Sequence, residues 1–419
     1  MDYVAQVAEF LKRGESVVFY TVSRGTFLDI KELELRFGLR PSAVCDRDSS
    51  MHGRAWKGLG GVAVISPEEA LQKFPKTRWY ITSVNYRHQI IGYLTQECGI
   101  SPEYIINYEP VHKIKSCMPL QRDLYYDYTG ELSFCCNGMC PRIPANEKID
   151  AAGLRKLRDE LLKMIEEDRV PSDSPCAGCA QIKETFYPKV PKGRAVGYFC
   201  DNVCNYRCSY CTIKDGLGTR NAAGHQTMNE LIDAFKQEDM LDDNFEATFT
   251  TAGEPTLYPG RKAVYQGFEG DTFVVNSNGY LFDQDLFDLM NRKKVLIITS
   301  VDAGTRETYQ KIKGVDGFER VRENLKKYAQ SALGIVAPKY IFIPGDNDKP
   351  EEIDGFIEFC VKTGSAFALA SPEFNSISRI TEQTNKMVRR LAEGLSAHNI
   401  LCMPYALFGL EVQTRLRGR

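Results

Sequence analysis

The chain has 419 residues, 43% of them apolar, and a formal charge of −2 from 53 basic and 55 acidic side chains. That length supplies enough apolar surface for two or three cores, and the near-neutral balance gives no general pull toward nucleic acid or anionic lipid. No run approaches the ~20 apolar residues that span a bilayer. The opening MDYVAQVAEFLKRGE is acidic and amphipathic rather than a secretory signal. A cytoplasmic protein with neither a membrane nor a nucleic-acid partner is expected.

Strand-like and helix-like segments alternate from residue 1 to 112. Val4, Val7, Ala8 and Leu11 keep a helical period and are expected to pack on this first domain. Residues 17–20 read as a strand, 27–37 as a helix, 43–45 as a strand ending at Asp46, and 62–65 as another strand. The next helix has Ser66 at its N-cap, Pro67 at its first position and Glu69 completing a capping box. Residues 79–82 and 86–97 repeat the theme, which argues for a small doubly wound parallel sheet. A dinucleotide turn would need G-x-G-x-x-G after the first strand. Here the turn TVSRGTF holds only Gly25, and Asp46 stands where a ribose-binding acid could be. Two readings stay open: a docking or recognition domain, and a nucleotide site resting on Asp46.

Fourteen cysteines without an export signal read better as metal ligands than as disulfides. Cys45, Cys98, Cys360 and Cys402 stand apart and are expected in cores. Residues 113–190 hold a cysteine-rich segment with Cys117, Cys135, Cys176 and Cys179. Its hairpin is formed by 124–128 and 132–134 around Thr129-Gly130. Leu154, Leu157, Leu161, Met164 and Ile165 share one face of a core helix.

From 191 to 419, candidate strands lie at 195–199, 245–250, 272–276, 295–300, 339–343 and 366–370, with a seventh run at 400–404. Helices are expected at 227–238, 283–292, 316–329, 351–363 and 380–397. The run CDNVCNYRCSYC follows the first strand and spaces Cys204, Cys208 and Cys211 as C-x3-C-x2-C. Three thiolates at that spacing can hold three corners of a [4Fe–4S] cube and leave the fourth iron open, whereas structural zinc would want a fourth ligand. Cys200, at the strand end, is not counted as a ligand. Gly253-Glu254-Pro255, Asn276-Ser277-Asn278-Gly279 and Ser300-Val301-Asp302 each follow a strand, and TRETYQKIKG comes next. In a barrel of parallel strands such ends share one mouth.

CNYRCSYC, with the aromatic Tyr210 and these landmarks in order, resembles the cluster loop of the radical SAM (S-adenosylmethionine) superfamily. The resemblance spans 191–419 and implies an α/β partial (β/α)6 TIM-like barrel. It implies a [4Fe–4S] cluster with an open iron site on Cys204, Cys208 and Cys211. It also implies S-adenosylmethionine bound by Gly253, Glu254 and Pro255 at the methionyl ammonium, by Ser300 and Asp302 at the ribose, and by Tyr210 near the adenine, with Asn276 in the same set. Residues 113–190 resemble the SPASM/twitch module, which implies one auxiliary [4Fe–4S] cluster on Cys117, Cys135, Cys176 and Cys179. Cys136 or Cys140 could replace one of these, and a four-thiolate zinc knot is the alternative metal site. The module stands before the barrel, whereas in the family it normally follows. Residues 1–112 resemble the Rossmann-like domains of nucleotide-sugar and glycan-assembly proteins.

What the resemblance implies is a one-electron reductant such as flavodoxin or ferredoxin, cleavage of S-adenosylmethionine, and a 5′-deoxyadenosyl radical that abstracts hydrogen from the substrate. The cofactor supplies the hard step and the protein supplies position. The leading expectation is a radical SAM oxidoreductase or epimerase acting on a sugar or sugar-derived metabolite. A peptide- or protein-modifying maturase is the first alternative, and a non-catalytic iron–sulfur carrier or scaffold is the second. No acid–base residue is assigned: His225, Glu373 and Arg379 carry no role on sequence grounds, and residues 342–347 are expected to touch the adenine or the substrate.

Overall fold

The computed structural model describes residues 2–126, 130–135, 143–144, 151–174, 176–198, 201–211, 218, 224–250, 252–373 and 378–404. The chain divides into two compact units. One holds 84–203 with 216–274, and the other holds 2–83 with 204–215 and 275–419.

Residues 2–83 form α1 (Tyr3–Lys12), β1 (Val17–Tyr20), α2 (Arg24–Phe37), β2 (Ala43–Cys45), β3 (Val64–Ile65), α3 (Pro67–Lys73) and β4 (Arg78–Ile81). The strands make a parallel sheet in the order β3-β2-β1-β4. All four residues of β1 are buried, as in a strand covered on both faces. Val4, Val7 and Ala8 of α1 are buried as expected. The α2 helix begins three residues before its expected start. Ser23 and Thr26 make a reciprocal capping box, and Gly38 ends the helix at φ 65°. Gly25, read in sequence as part of the turn TVSRGTF, lies in the first turn of α2, where a Cβ would sit 2.4 Å from the Thr82 carbonyl oxygen. Asp46 serves the same corner. One carboxylate oxygen accepts from the Val22 amide at 2.8 Å and from the Thr21 hydroxyl, and the other accepts from the Asp48 amide at 2.9 Å. Ser66 caps α3 by accepting from the Glu69 amide, while the Glu69 carboxylate pairs with Lys73.

The next segments form α4 (Arg87–Gly92), β5 (Val111–Cys117), α5 (Met118–Arg122), β6 (Asp123–Tyr126), β7 (Glu131–Ser133), β8 (Ile143–Pro144), α6 (Ala151–Glu166) and β9 (Ile182–Pro188). They continue with β10 (Gly193–Tyr198), α7 (Gly224–Gln237), β11 (Leu241–Phe249), α8 (Arg261–Gly267) and β12 (Thr272–Asn276). Here the strand order is β12-β11-β10-β6-β7-β8. β10 runs parallel to both β11 and β6, and β6-β7-β8 is antiparallel. The expected hairpin therefore exists, with Gly130 at φ 86°, but it extends the same sheet as β10. β5 and β9 form a separate antiparallel ribbon, paired from Val111↔Pro188 to Cys117↔Ile182. Arg194 is buried and binds Glu109 at 2.5 Å and Asp242 at 3.0 Å. Burial alone would raise the Glu109 carboxyl, but His88 and Arg194 hold it far below the usual carboxylate range.

The last segment forms α9 (Gln284–Arg292), β13 (Lys294–Ser300), α10 (Arg306–Lys313), α11 (Phe318–Tyr328), β14 (Gly334–Phe342), α12 (Pro350–Thr363), β15 (Phe367–Pro372), α13 (Glu382–Ala397) and β16 (Leu401–Pro404). β13 to β16 are parallel neighbours in chain order. This mixed parallel and antiparallel β architecture with flanking helices is consistent with a radical-SAM-type partial barrel. The four-stranded sheet shares a unit with β13–β16: the Phe27 and Phe367 rings lie 5.2 Å apart, and the Lys57 amide donates to the Asn399 carbonyl. Among the described residues no helix is long and apolar enough to cross a membrane.

Lys294 and Asp29 form a buried pair at 2.7 Å, each 6% exposed, with Glu32 3.6 Å from the ammonium. Removing one partner strands a buried charge. Lys294→Met is expected to cost about 3–5 kcal/mol in urea unfolding, and adding Asp29→Leu should recover part of that loss. An unfolding midpoint unchanged by Lys294→Met would contradict this.

Candidate active site

Asp302 is the best-connected carboxylate at the C-terminal end of β13. It is fully buried and lies at φ 61°, a left-handed conformation in which Asp is tolerated better than most residues. Its Oδ1 accepts from the Ile341 amide at 2.8 Å. Its Oδ2 accepts from the Tyr210 hydroxyl at 2.6 Å and from the Lys313 ammonium. Lys313 also donates to the Tyr210 oxygen at 2.8 Å. The Asp302 carbonyl accepts from Asn347 Nδ2 at 2.8 Å. Burial, reinforced by the Asp302 charge, pushes the Tyr210 phenol well above its ordinary value.

Lys313 reaches this point because α10 is fixed at both ends. At its start, Glu352 of α12 accepts from the Gly304 amide at 2.7 Å, the Thr305 amide at 3.1 Å and the Thr305 and Thr308 hydroxyls. A Cβ on Gly304 would lie 1.9 Å from the Glu352 carbonyl oxygen, so only glycine allows the two segments to meet. At its end, Gly314 caps α10 at φ 72°.

The cysteine loop hangs on that end of α10. The Arg207 amide donates to the Lys313 carbonyl at 3.2 Å and the Ser209 amide to the Ile312 carbonyl at 2.8 Å. The Tyr206 hydroxyl lies 2.8 Å from the Tyr309 hydroxyl. Asn278 donates to Asn205 at 2.7 Å. Tyr210, Asp302 and the loop of Cys204, Cys208 and Cys211 are thus brought together. Ser300 and Asn276 are half-buried strand-end residues. Residues 342–347 close inward: Asn347 is fully buried and is occupied with Asp302, Ile341 and Ile343.

The other unit places Gly253, Glu254 and Pro255 beside Val203. The Glu254 amide donates to the Val203 carbonyl at 2.8 Å, and its carboxylate accepts from the Thr256 amide and hydroxyl. A Cβ on Gly253 would sit 2.1 Å from the Val203 oxygen. His225 packs on Tyr258, with Nδ1 2.9 Å from its hydroxyl, which is a structural role.

The iron–sulfur expectation is corrected. Among the described residues no group of three or more His, Cys, Asp or Glu side chains could hold a metal ion. This overturns both the open [4Fe–4S] site expected on Cys204, Cys208 and Cys211 and the auxiliary [4Fe–4S] cluster expected on Cys117, Cys135, Cys176 and Cys179. Cysteines of each set do lie within electrostatic reach of one another. Burial, with a smaller contribution from Cys204 and Cys211, pushes Cys208 up to about 11. Burial and the fields of Cys135, Cys179 and Cys176 push Cys117 up to about 12. Cys136, Cys140 and Cys200 lie outside the described residues.

Lys313 and Glu352 were not legible as site residues, whereas Asn347 lies in the segment 342–347 that was expected there. In sequence, Lys313 is an ordinary last-turn lysine before a glycine cap, and the carboxylate it meets is eleven positions earlier.

Residues 200–360 match the sequence profile of the radical SAM superfamily. A probable GTP 3′,8-cyclase of Saccharolobus islandicus is 27% identical over 166 residues, covering 39% of this chain and 51% of that protein. A GTP 3′,8-cyclase of Aliarcobacter butzleri is 25% identical over 182 residues, covering 41% of this chain and 54% of that protein. The chain spans about half the length of these curated relatives. Among solved structures, Streptococcus suis SuiB bound to precursor peptide SuiA aligns at TM-score 0.40 and 15% identity, over 51% of this chain and 49% of that one. The chain carries a radical SAM superfamily domain, a catalytic domain, and is an enzyme.

Losing the Tyr210 hydroxyl removes one charge-assisted bond, and Tyr210→Phe is expected to cost about 1.5–3 kcal/mol. Lys313→Met leaves Asp302 buried without its cation and is expected to cost more, about 3–5 kcal/mol. Urea unfolding of the two variants checks the order, and equal or reversed losses would contradict the hub.

Proposed function

We propose that this enzyme cleaves S-adenosylmethionine and uses the resulting 5′-deoxyadenosyl radical to take a hydrogen atom from a peptide or protein side chain. The chemistry rests on the match over 200–360, together with the buried hub at Asp302 inside that stretch. A one-electron reductant of the flavodoxin or ferredoxin class supplies the electron. The chain's own residues contribute position. Lys313, Tyr210 and Ile341 fix Asp302, and α10 fixes the loop that carries Tyr210. Burial of Asp302 and Lys313 keeps that pair dry, which strengthens their contact. Ser300 and Asn276 are proposed to face the bound S-adenosylmethionine from their strand ends.

The observation that carries the substrate class is the β5–β9 ribbon. Each strand pairs only with the other among the described residues, so each outer edge offers backbone groups to an extended chain. The sugar expectation loses one of its supports, because no auxiliary metal group assembles among the described residues.

A nucleotide substrate is the second reading, favoured by the GTP 3′,8-cyclases matched above. The test is anaerobic turnover with S-adenosylmethionine, reductant and either a perdeuterated peptide pool or GTP deuterated on its ribose. The proposal expects 5′-deoxyadenosine one mass unit heavier with the peptides and unlabelled with GTP. Label arriving only from GTP would replace the peptide reading, and no 5′-deoxyadenosine under any condition would remove the radical chemistry.

A further inference from the structure

A cavity of about 520 Å³ lies within the unit that holds α2 and β13–β16, a size typical of small-molecule sites. Its walls are α2, the loop 55–61 and the starts of β14 and β15. Ser300 pairs with Lys339 and Val295 with Gly334 along β13 and β14. The cavity is therefore at the opposite end of these strands from Asp302, with roughly 16 Å between those two residue pairs at about 3.3 Å per residue. It is separate from the candidate active site, and nothing argued above uses it.

Its lining has an excess of positive charge: Lys31, Arg40 and Lys57 against a single carboxylate, Glu34. Arg40 is paired with Glu34 at 2.5 Å. The Lys31 ammonium is held by the Ser331 and Gly334 carbonyls at 2.8 and 2.5 Å, which fixes one cation in the wall without neutralising it. Lys57 has no carboxylate partner among the described residues, and partial burial lowers its pKa. Beside it, Gly58, Gly60 and Gly61 all adopt positive φ, at 84°, 61° and 78°. Their amides have no hydrogen-bond acceptor among the described residues. Glycine amides exposed by such a turn form a concavity suited to an anion. Phe27, Trp56 and Val336 give the cavity an apolar side.

We propose that this cavity binds a small phosphorylated organic metabolite of mononucleotide size. The phosphate sits on the Gly58–Gly61 amides and Lys57, and the organic part lies against Phe27 and Trp56. Because the ligand bridges α2 and the starts of β14 and β15, its occupancy stabilises the unit that carries the Asp302 hub.

Equilibrium dialysis of the full chain tests this with uridine 5′-monophosphate, uridine and inorganic phosphate, each in saturating S-adenosylmethionine. The expected order is the monophosphate tightest, inorganic phosphate weaker and uridine weakest. Lys57→Glu is expected to weaken monophosphate binding about tenfold or more, with Lys57→Gln intermediate. Lys57 is exposed, so both variants should fold, and an unchanged circular dichroism melt without ligand confirms it. The proposal is overturned if the monophosphate does not bind at millimolar concentration, if uridine binds as well as its phosphate, or if Lys57→Glu binds as tightly as the parent. Inorganic phosphate binding more tightly than the monophosphate would overturn the organic part of the assignment.

Discussion

A carboxylate with no access to water has to find its donors inside the protein, and Asp302 finds them from three places in the chain. Tyr210 comes from the cysteine loop, Lys313 from the end of α10 and Ile341 from β14, while Asn347 holds the backbone carbonyl of the same residue. An unmatched buried charge costs several kcal/mol, and a non-glycine residue held at positive φ adds about 1–3 kcal/mol. Neither is tolerable unless these segments are in place. The side chain therefore acts as a common fastening for a loop, a helix and a strand. It is also why Lys313 cannot be treated as a surface lysine: its side chain is 2% exposed and, among the described residues, it pairs with one carboxylate, Asp302.

The fastening depends on packing further away. α10 is placed by Glu352, which satisfies the amides that a helix leaves unpaired at its start. α12, which carries Glu352, crosses the Gly304 segment where neither chain has room for a Cβ: one on Gly355 would lie 2.2 Å from the Gly304 carbonyl oxygen. On the other side of the same unit, Asp29 and Lys294 tie α2 to β13. The N-terminal sheet therefore contributes to the rigidity of the strands whose far ends carry Asp302, whatever ligand it also holds.

Elements with strong local signals were legible from sequence. The seven strands from β10 to β16 fall within a few residues of the apolar runs that announced them, because the runs are apolar and bounded by turn residues. α2 was read three residues short, with Gly25 placed in the preceding turn. Gly25 makes a close approach to Thr82, fifty-seven positions away. Spacing left Asp46 open between a ribose acid and no nucleotide role, and its oxygens hold the β1–α2 corner. The hairpin at 124–134 was visible, while its membership in the sheet of β10 was not, since register between distant strands leaves no local trace. At the candidate site the loop and the strand-end landmarks were legible as a linear pattern. Lys313 and Glu352 were not, because their importance comes from tertiary neighbours, whereas Asn347 lies in the segment 342–347 that was expected at the site. The cysteine spacing announced metal sites, but among the described residues no group of three or more ligating side chains assembles.

The central claim is that Asp302 holds the cysteine loop onto the end of α10. Amide hydrogen exchange at Arg207 and Ser209 reads this directly, because those amides donate to the Lys313 and Ile312 carbonyls. Protection at both should be strong in the parent protein and should fall selectively in Asp302→Asn, while amides of β15 stay protected. Equal protection of Arg207 and Ser209 in the parent and in Asp302→Asn would contradict the account.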